Sequence, residues 1–135
     1  MLDGSKLDLD GIYRLWIKEK QEGFNCVKDE YEKLIKMYGN DWRILIEVAN
    51  RYAYNHKYED AILIYKKAFE VAPKPRYTDM LASIRYLYKS LGKYAEAIET
   101  SNRELQLLKD EWNITKGELV EEIKREIVVL NSKLL

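Results

Sequence analysis

This 135-residue chain has one cysteine, one histidine, two prolines, no net charge and no long apolar run, and each scarcity closes off a class of function. A single cysteine forms no intramolecular disulfide, which fits a reducing compartment. One histidine with one cysteine falls short of the ligand cluster a metal site needs. Lys plus Arg and Asp plus Glu both number 23, so the basic excess that draws proteins to nucleic acid is missing. No apolar stretch approaches the ~20 residues of a membrane span, and the opening Met1-Leu2-Asp3-Gly4-Ser5-Lys6 holds no signal core. A cytoplasmic protein without membrane or nucleic-acid partners is the expectation.

The same poverty argues against catalysis. No glycine-rich phosphate loop is present, so no nucleotide cofactor is expected. His56 falls in a turn between helices, where an exposed residue is expected, and a catalytic base would need an oriented carboxylate or a nucleophile beside it. Cys26 opens a helix; a half-buried small residue is the plain reading, a lowered-pKa thiol the sharper one. No catalytic residue and no metal ligand is assigned.

What the chain does have is helical periodicity. Residues 1–9 read as poorly ordered, and from Ile12 the pattern turns helical through Leu15 and Trp16. Steps of three and four then put Val27, Tyr31, Leu34 and Tyr38 on one face, and Leu45, Val48, Ala49 and Tyr52 on another. Asn40 and Asp41 can cap the helix from Trp42 to Tyr54, and Asn55-His56-Lys57 makes a turn. Pro73 and Pro75 end the helix that starts at Tyr58. Gly92 closes a fifth helix, a loop is expected over 110–114, and Thr115 with Glu118 forms a capping box for a last helix. That last helix carries Val120, Ile123, Ile127, Leu130 and Leu134, a narrow 3-4-3-4 seam that offers a homodimer contact.

Two of these segments repeat. Tyr58-Glu59-Asp60-Ala61-Ile62 recurs 36 positions on as Tyr94-Ala95-Glu96-Ala97-Ile98, and Phe24-Asn25-Cys26-Val27 is a fainter copy 34 positions before the first. A period in this range is the mark of stacked helical hairpins, which present surfaces rather than catalytic clefts.

Over 42–75 the pattern resembles the tetratricopeptide repeat (TPR). Leu45, Val48, Ala49 and Tyr52 stand where that motif has W-x2-L-G-x2-Y; Ala61 and Tyr65 fill its A-x3-F, Ala68 is its second small residue and Pro73 closes it. The unit at about 78–111 agrees at Leu81, Ile84, Tyr88, Gly92, Tyr94 and Ala97, but departs at Arg85, Ser101, Glu104 and Lys109. The unit at about 8–41 agrees only in its second helix. The resemblance implies one all-α domain over 1–135, a right-handed superhelical stack of about three TPR-like hairpins, with a C-terminal capping helix at about 116–133. Arg85 and Glu104 replace two small residues and should pair across one hairpin.

Such arrays bind a protein or peptide segment on the concave surface lined by the first helix of each hairpin. The groove positions that this implies are Tyr13 and Trp16, with Lys20, in the first unit; Arg43, Glu47, Asn50 and Tyr54 in the second; and Asp79, Ser83 and Tyr86, with Ser90, in the third. Aromatic anchors mixed with hydrogen-bonding groups suit an amphipathic segment. A carboxylate clamp is not reproduced, because Glu47, Asp79 and Ser83 stand where basic or amide groups would be wanted. Two settings fit: a free-standing adaptor, or the partner-sensing or oligomerisation domain of a larger protein like a bacterial transcription regulator. In a further alternative, the groove is filled by the chain's own last helix.

Overall fold

The computed structural model describes the backbone of residues 4–135 and the side chains of residues 10–135, and over that range the protein is all-α with no strand. Seven α-helices follow in order: α1 (Gly4–Glu22), α2 (Lys28–Met37), α3 (Trp42–Tyr54), α4 (Tyr58–Val71), α5 (Asp79–Ser90), α6 (Tyr94–Trp112) and α7 (Glu118–Ser132), with a 3-10 turn at Phe24–Cys26 after α1. None of the described helices is long and apolar enough to cross a membrane. The chain resolves into two compact units, one ending at Val71 and the other spanning Ala72–Leu135. Contrary to the sequence expectation, residues 4–9 are helical and open α1, whereas residues 1–3 lie outside the described range. Leu and Lys are good helix formers, which lets α1 start ahead of its apolar stripe.

In the first unit α3 is central: α1, α2 and α4 all lie against it. The Asp41 side chain accepts the Arg43 backbone N–H at 3.1 Å, satisfying a donor that has no helical partner. Ile44, Leu45, Val48, Ala49 and Tyr52 form the buried stripe of α3, and Ala61, Ile62, Tyr65, Ala68 and Phe69 that of α4. Ala49, Ala61 and Ala68 have no exposed surface, so small side chains stand inside the packed hairpin. The turn at 55–57 is short, with His56 at φ 60, and it leaves the packed helices antiparallel. Gly23, at φ 95, turns the chain out of α1 in a conformation that favours glycine.

The core of this unit contains a buried charge. Glu19 of α1 is 4% exposed. It accepts from the Tyr31 hydroxyl at 2.9 Å, from Arg51 Nε and Nη2 at 3.2 and 2.6 Å, and from Asn55 Nδ2 at 3.0 Å. Burial pushes the Glu19 carboxyl up, but the hydrogen bonds from Arg51, Asn55 and Tyr31 outweigh it and hold the group below its ordinary value. Burial, then the bond to Glu19, pushes the Tyr31 phenol up. One carboxylate thus fastens α1 to α2, to α3 and to the turn after it.

In the second unit α6 packs against both α5 and α7. Met80, Leu81, Ile84 and Leu87 are buried on α5, and Ala97, Leu107 and Leu108 on α6. Contrary to the expected loop, α6 continues through Trp112. The segment before α5 secures that end: Arg76 forks onto Glu111 at 2.6–3.2 Å, and the Trp112 indole N–H donates to the Arg76 carbonyl at 2.6 Å. Asn113 then stops the helix in the left-handed region at φ 55.

The capping box does not form. Gly117, at φ 118, is the cap residue of α7 and no side chain closes it, because the chain enters the helix two residues beyond Thr115. The α7 seam is used inside the unit: Val120 and Ile123 pack with Leu108, Leu105, Trp112 and Ile127, and Leu130 is fully buried. A dimer through α7 would use another face, where Val128 and Val129 are exposed.

Candidate functional site

In the first unit α1 and α3 leave a cavity of about 210 Å³ between them, lined by Ile12, Tyr13, Trp16, Glu47 and Arg51. Three residues that the TPR resemblance implies for the groove, Tyr13, Trp16 and Glu47, therefore line one cavity. Tyr13 and Trp16 sit one turn apart on α1, their ring centroids 5.5 Å apart and the planes tilted by 41°. The Tyr13 ring is 59% exposed, whereas Ile12 beside it is buried and forms part of the floor. Glu47 and Arg51 are one turn apart on α3, which faces α1 with that side.

Arg51 was not anticipated, and it organises the cavity. Its guanidinium lies 5.5 Å from the Trp16 ring centroid and 4.6 Å from that of Tyr54, while its nitrogens grip Glu19 beneath. Tyr54 is thereby tied to the same cluster, although it does not line the cavity, and its ring is 63% exposed. Lys20 Nζ stands 4.3 Å from the Trp16 centroid. The signal in the sequence was the i,i+4 spacing of Arg51 from Glu47; the buried partner Glu19 gave none.

The other expected groove residues of this unit do not join. Arg43 pairs with Asp41 at the start of its own helix, at 3.6 Å. Asn50 accepts the Tyr65 hydroxyl, so its amide oxygen serves the contact between α3 and α4.

In the second unit Asp79 and Tyr86 are exposed, Tyr86 at 64%, and Ser83 is half-buried, but they line no described cavity. The cavity there, about 260 Å³, has Thr78, Ala82 and Arg85 of the α5 side facing Glu104 of α6 and Glu122 and Glu126 of α7. Positions 78, 82 and 85 form the stripe next to 79, 83 and 86, one residue round the helix. So α7 borders the cavity beside the expected groove, and Tyr86 stays exposed.

The expected pairing of Arg85 with Glu104 is present: Arg85 Nη1 donates to Glu104 Oε2 at 2.8 Å. Glu104 is buried, 1% exposed. Burial pushes its carboxyl up to about 7, against Arg85, which favours the charge, and with Glu126, which opposes it. Lys89 of α5 pairs with Glu126 of α7.

His56 is an exposed turn residue whose Nδ1 meets the Tyr58 hydroxyl at 2.8 Å. Cys26 is exposed rather than half-buried. Among the described residues no group of three or more His, Cys, Asp or Glu side chains could hold a metal ion. No protein-family model matches the chain, and no curated protein matches it.

Proposed function

We propose that the protein is a TPR-like interaction module, without catalytic activity or cofactor, that holds a peptide or protein segment as an adaptor in a cytoplasmic setting. In this proposal α3–α4 and α5–α6 are successive hairpins of a right-handed superhelix, and α7 is its cap. The first unit supplies the anchor point. The observation that supports this best is the meeting of Tyr13, Trp16 and Glu47, from α1 and α3, around a cavity of about 210 Å³ with Tyr54 exposed nearby. Exposed aromatic rings beside a cavity are what a docking surface uses for its dominant contacts. The volume is below the ~300–1,000 Å³ of small-molecule sites, so it suits one side chain of a larger partner.

Peptide display against the intact chain, followed by titration of an enriched peptide, tests the proposal. Tyr13→Ala with Tyr54→Ala should weaken binding about tenfold or more, since each aromatic anchor contributes about 1–2 kcal/mol. Unchanged affinity in a folded double variant would place the partner elsewhere.

A further inference from the structure

The charges around the first-unit cavity are not equally available. Arg51 lines it, but Glu19 binds Arg51 Nε and Nη2 at 3.2 and 2.6 Å. Trp16 and Tyr54 stand beside that guanidinium. Buried Glu19 and half-buried Arg51 compensate each other. Lys20 stays over Trp16. Lys20 is exposed and outside the cavity lining, whereas Glu47 lines the cavity; both are exposed and neither has an ion pair among the described residues. Tyr13, which lines the same cavity, is 59% exposed, and the face of an aromatic ring carries the negative side of its quadrupole. A carboxylate and an exposed aromatic residue at one side-chain-sized cavity suit a cation that has an apolar stem.

Resting on the docking reading above, we propose that this cavity takes a basic side chain of the partner peptide, arginine ahead of lysine, with its stem on Ile12 and Tyr13 and its charged head at Glu47. Arginine is favoured because a planar guanidinium can stack on Tyr13 while two of its N–H groups donate to one carboxylate. An acidic side chain would meet Glu47 instead, and Arg51, the cation lining the cavity among the described residues, is already engaged by Glu19.

The test uses the intact chain and four pools of acetylated, amidated peptides with randomised flanks. The fixed central residue is arginine, lysine, norleucine or glutamate. Binding is read from the shift of the tryptophan indole resonances. The arginine pool should bind about fivefold tighter than the norleucine pool, the yield of a partly exposed charge pair of ~1 kcal/mol, with lysine between them and glutamate weakest. Glu47→Gln should remove the arginine advantage and leave norleucine binding unchanged; Tyr13→Ala should weaken both. An equal or better norleucine or glutamate pool, or an arginine preference that survives Glu47→Gln, overturns the basic side chain while leaving the docking surface standing. No binding by any pool overturns both.

Discussion

Glu104→Gln should make the second unit more stable at alkaline pH and flatten its response to pH. In the native protein Glu104 is 1% exposed and has a single guanidinium hydrogen bond, from Arg85. Its carboxyl is raised from 4.5 to about 7, first by burial and then by Glu126, with Arg85 opposing. A group whose folded value is raised contributes stability that is fully present below the unfolded value and is lost as pH rises through the folded one. The window here therefore runs from about 4.5 to about 7. At 1.36 kcal/mol per unit, the loss across it is about 3 kcal/mol. Urea denaturation at pH 5 and pH 8 reads the effect. Trp112 packs in the α6–α7 cluster and reports this unit once Trp16 and Trp42 are replaced by phenylalanine. The native background should lose about 2–3 kcal/mol between the two values, and Glu104→Gln should lose less by about that amount. Identical pH dependence in both proteins, or a native protein more stable at pH 8, would refute the assignment of a raised carboxyl.

Glu19→Gln should destabilise the first unit by about 3 kcal/mol, because it leaves the half-buried Arg51 without its charged partner. The Glu19 carboxyl is held low, so that difference should be full near neutrality and fade as pH falls through the carboxylate range. Ala61→Leu should cost about 1–3 kcal/mol in a denaturation midpoint series, since Ala61 is wholly buried where α4 packs on α3. Thr115→Ala should change stability by less than about 0.5 kcal/mol, because Thr115 does not cap α7; a loss near ~1 kcal/mol would restore the capping box.

Local signals carried much of the architecture. Trp42–Tyr54 was legible as a helix because a capping aspartate precedes it and a turn follows it. The pairing of Arg85 with Glu104 was legible because the TPR resemblance sets both where its motif has small residues, across one hairpin. Legibility failed where distant partners decide. The last turn of α6 is held by Arg76, far back in sequence, so Asp110–Trp112 read as a loop. Glu19 carries no signal of its own in the sequence, and only its partners Arg51, Tyr31 and Asn55 show it as a buried charge. Within the site, the TPR resemblance implied one groove surface for Tyr13, Trp16 and Glu47. It could not say that Asn50 turns to Tyr65, since that depends on a single tyrosine of α4.

Amide NMR mapping of a display-selected peptide onto the intact chain tests the docking surface most directly. Perturbations centred on Tyr13, Trp16, Glu47 and Tyr54, lost in Tyr13→Ala with Tyr54→Ala while the remaining spectrum stays folded, are the predicted result. Perturbations confined to α2, α4 or α7, with the α1–α3 cavity untouched, would contradict it.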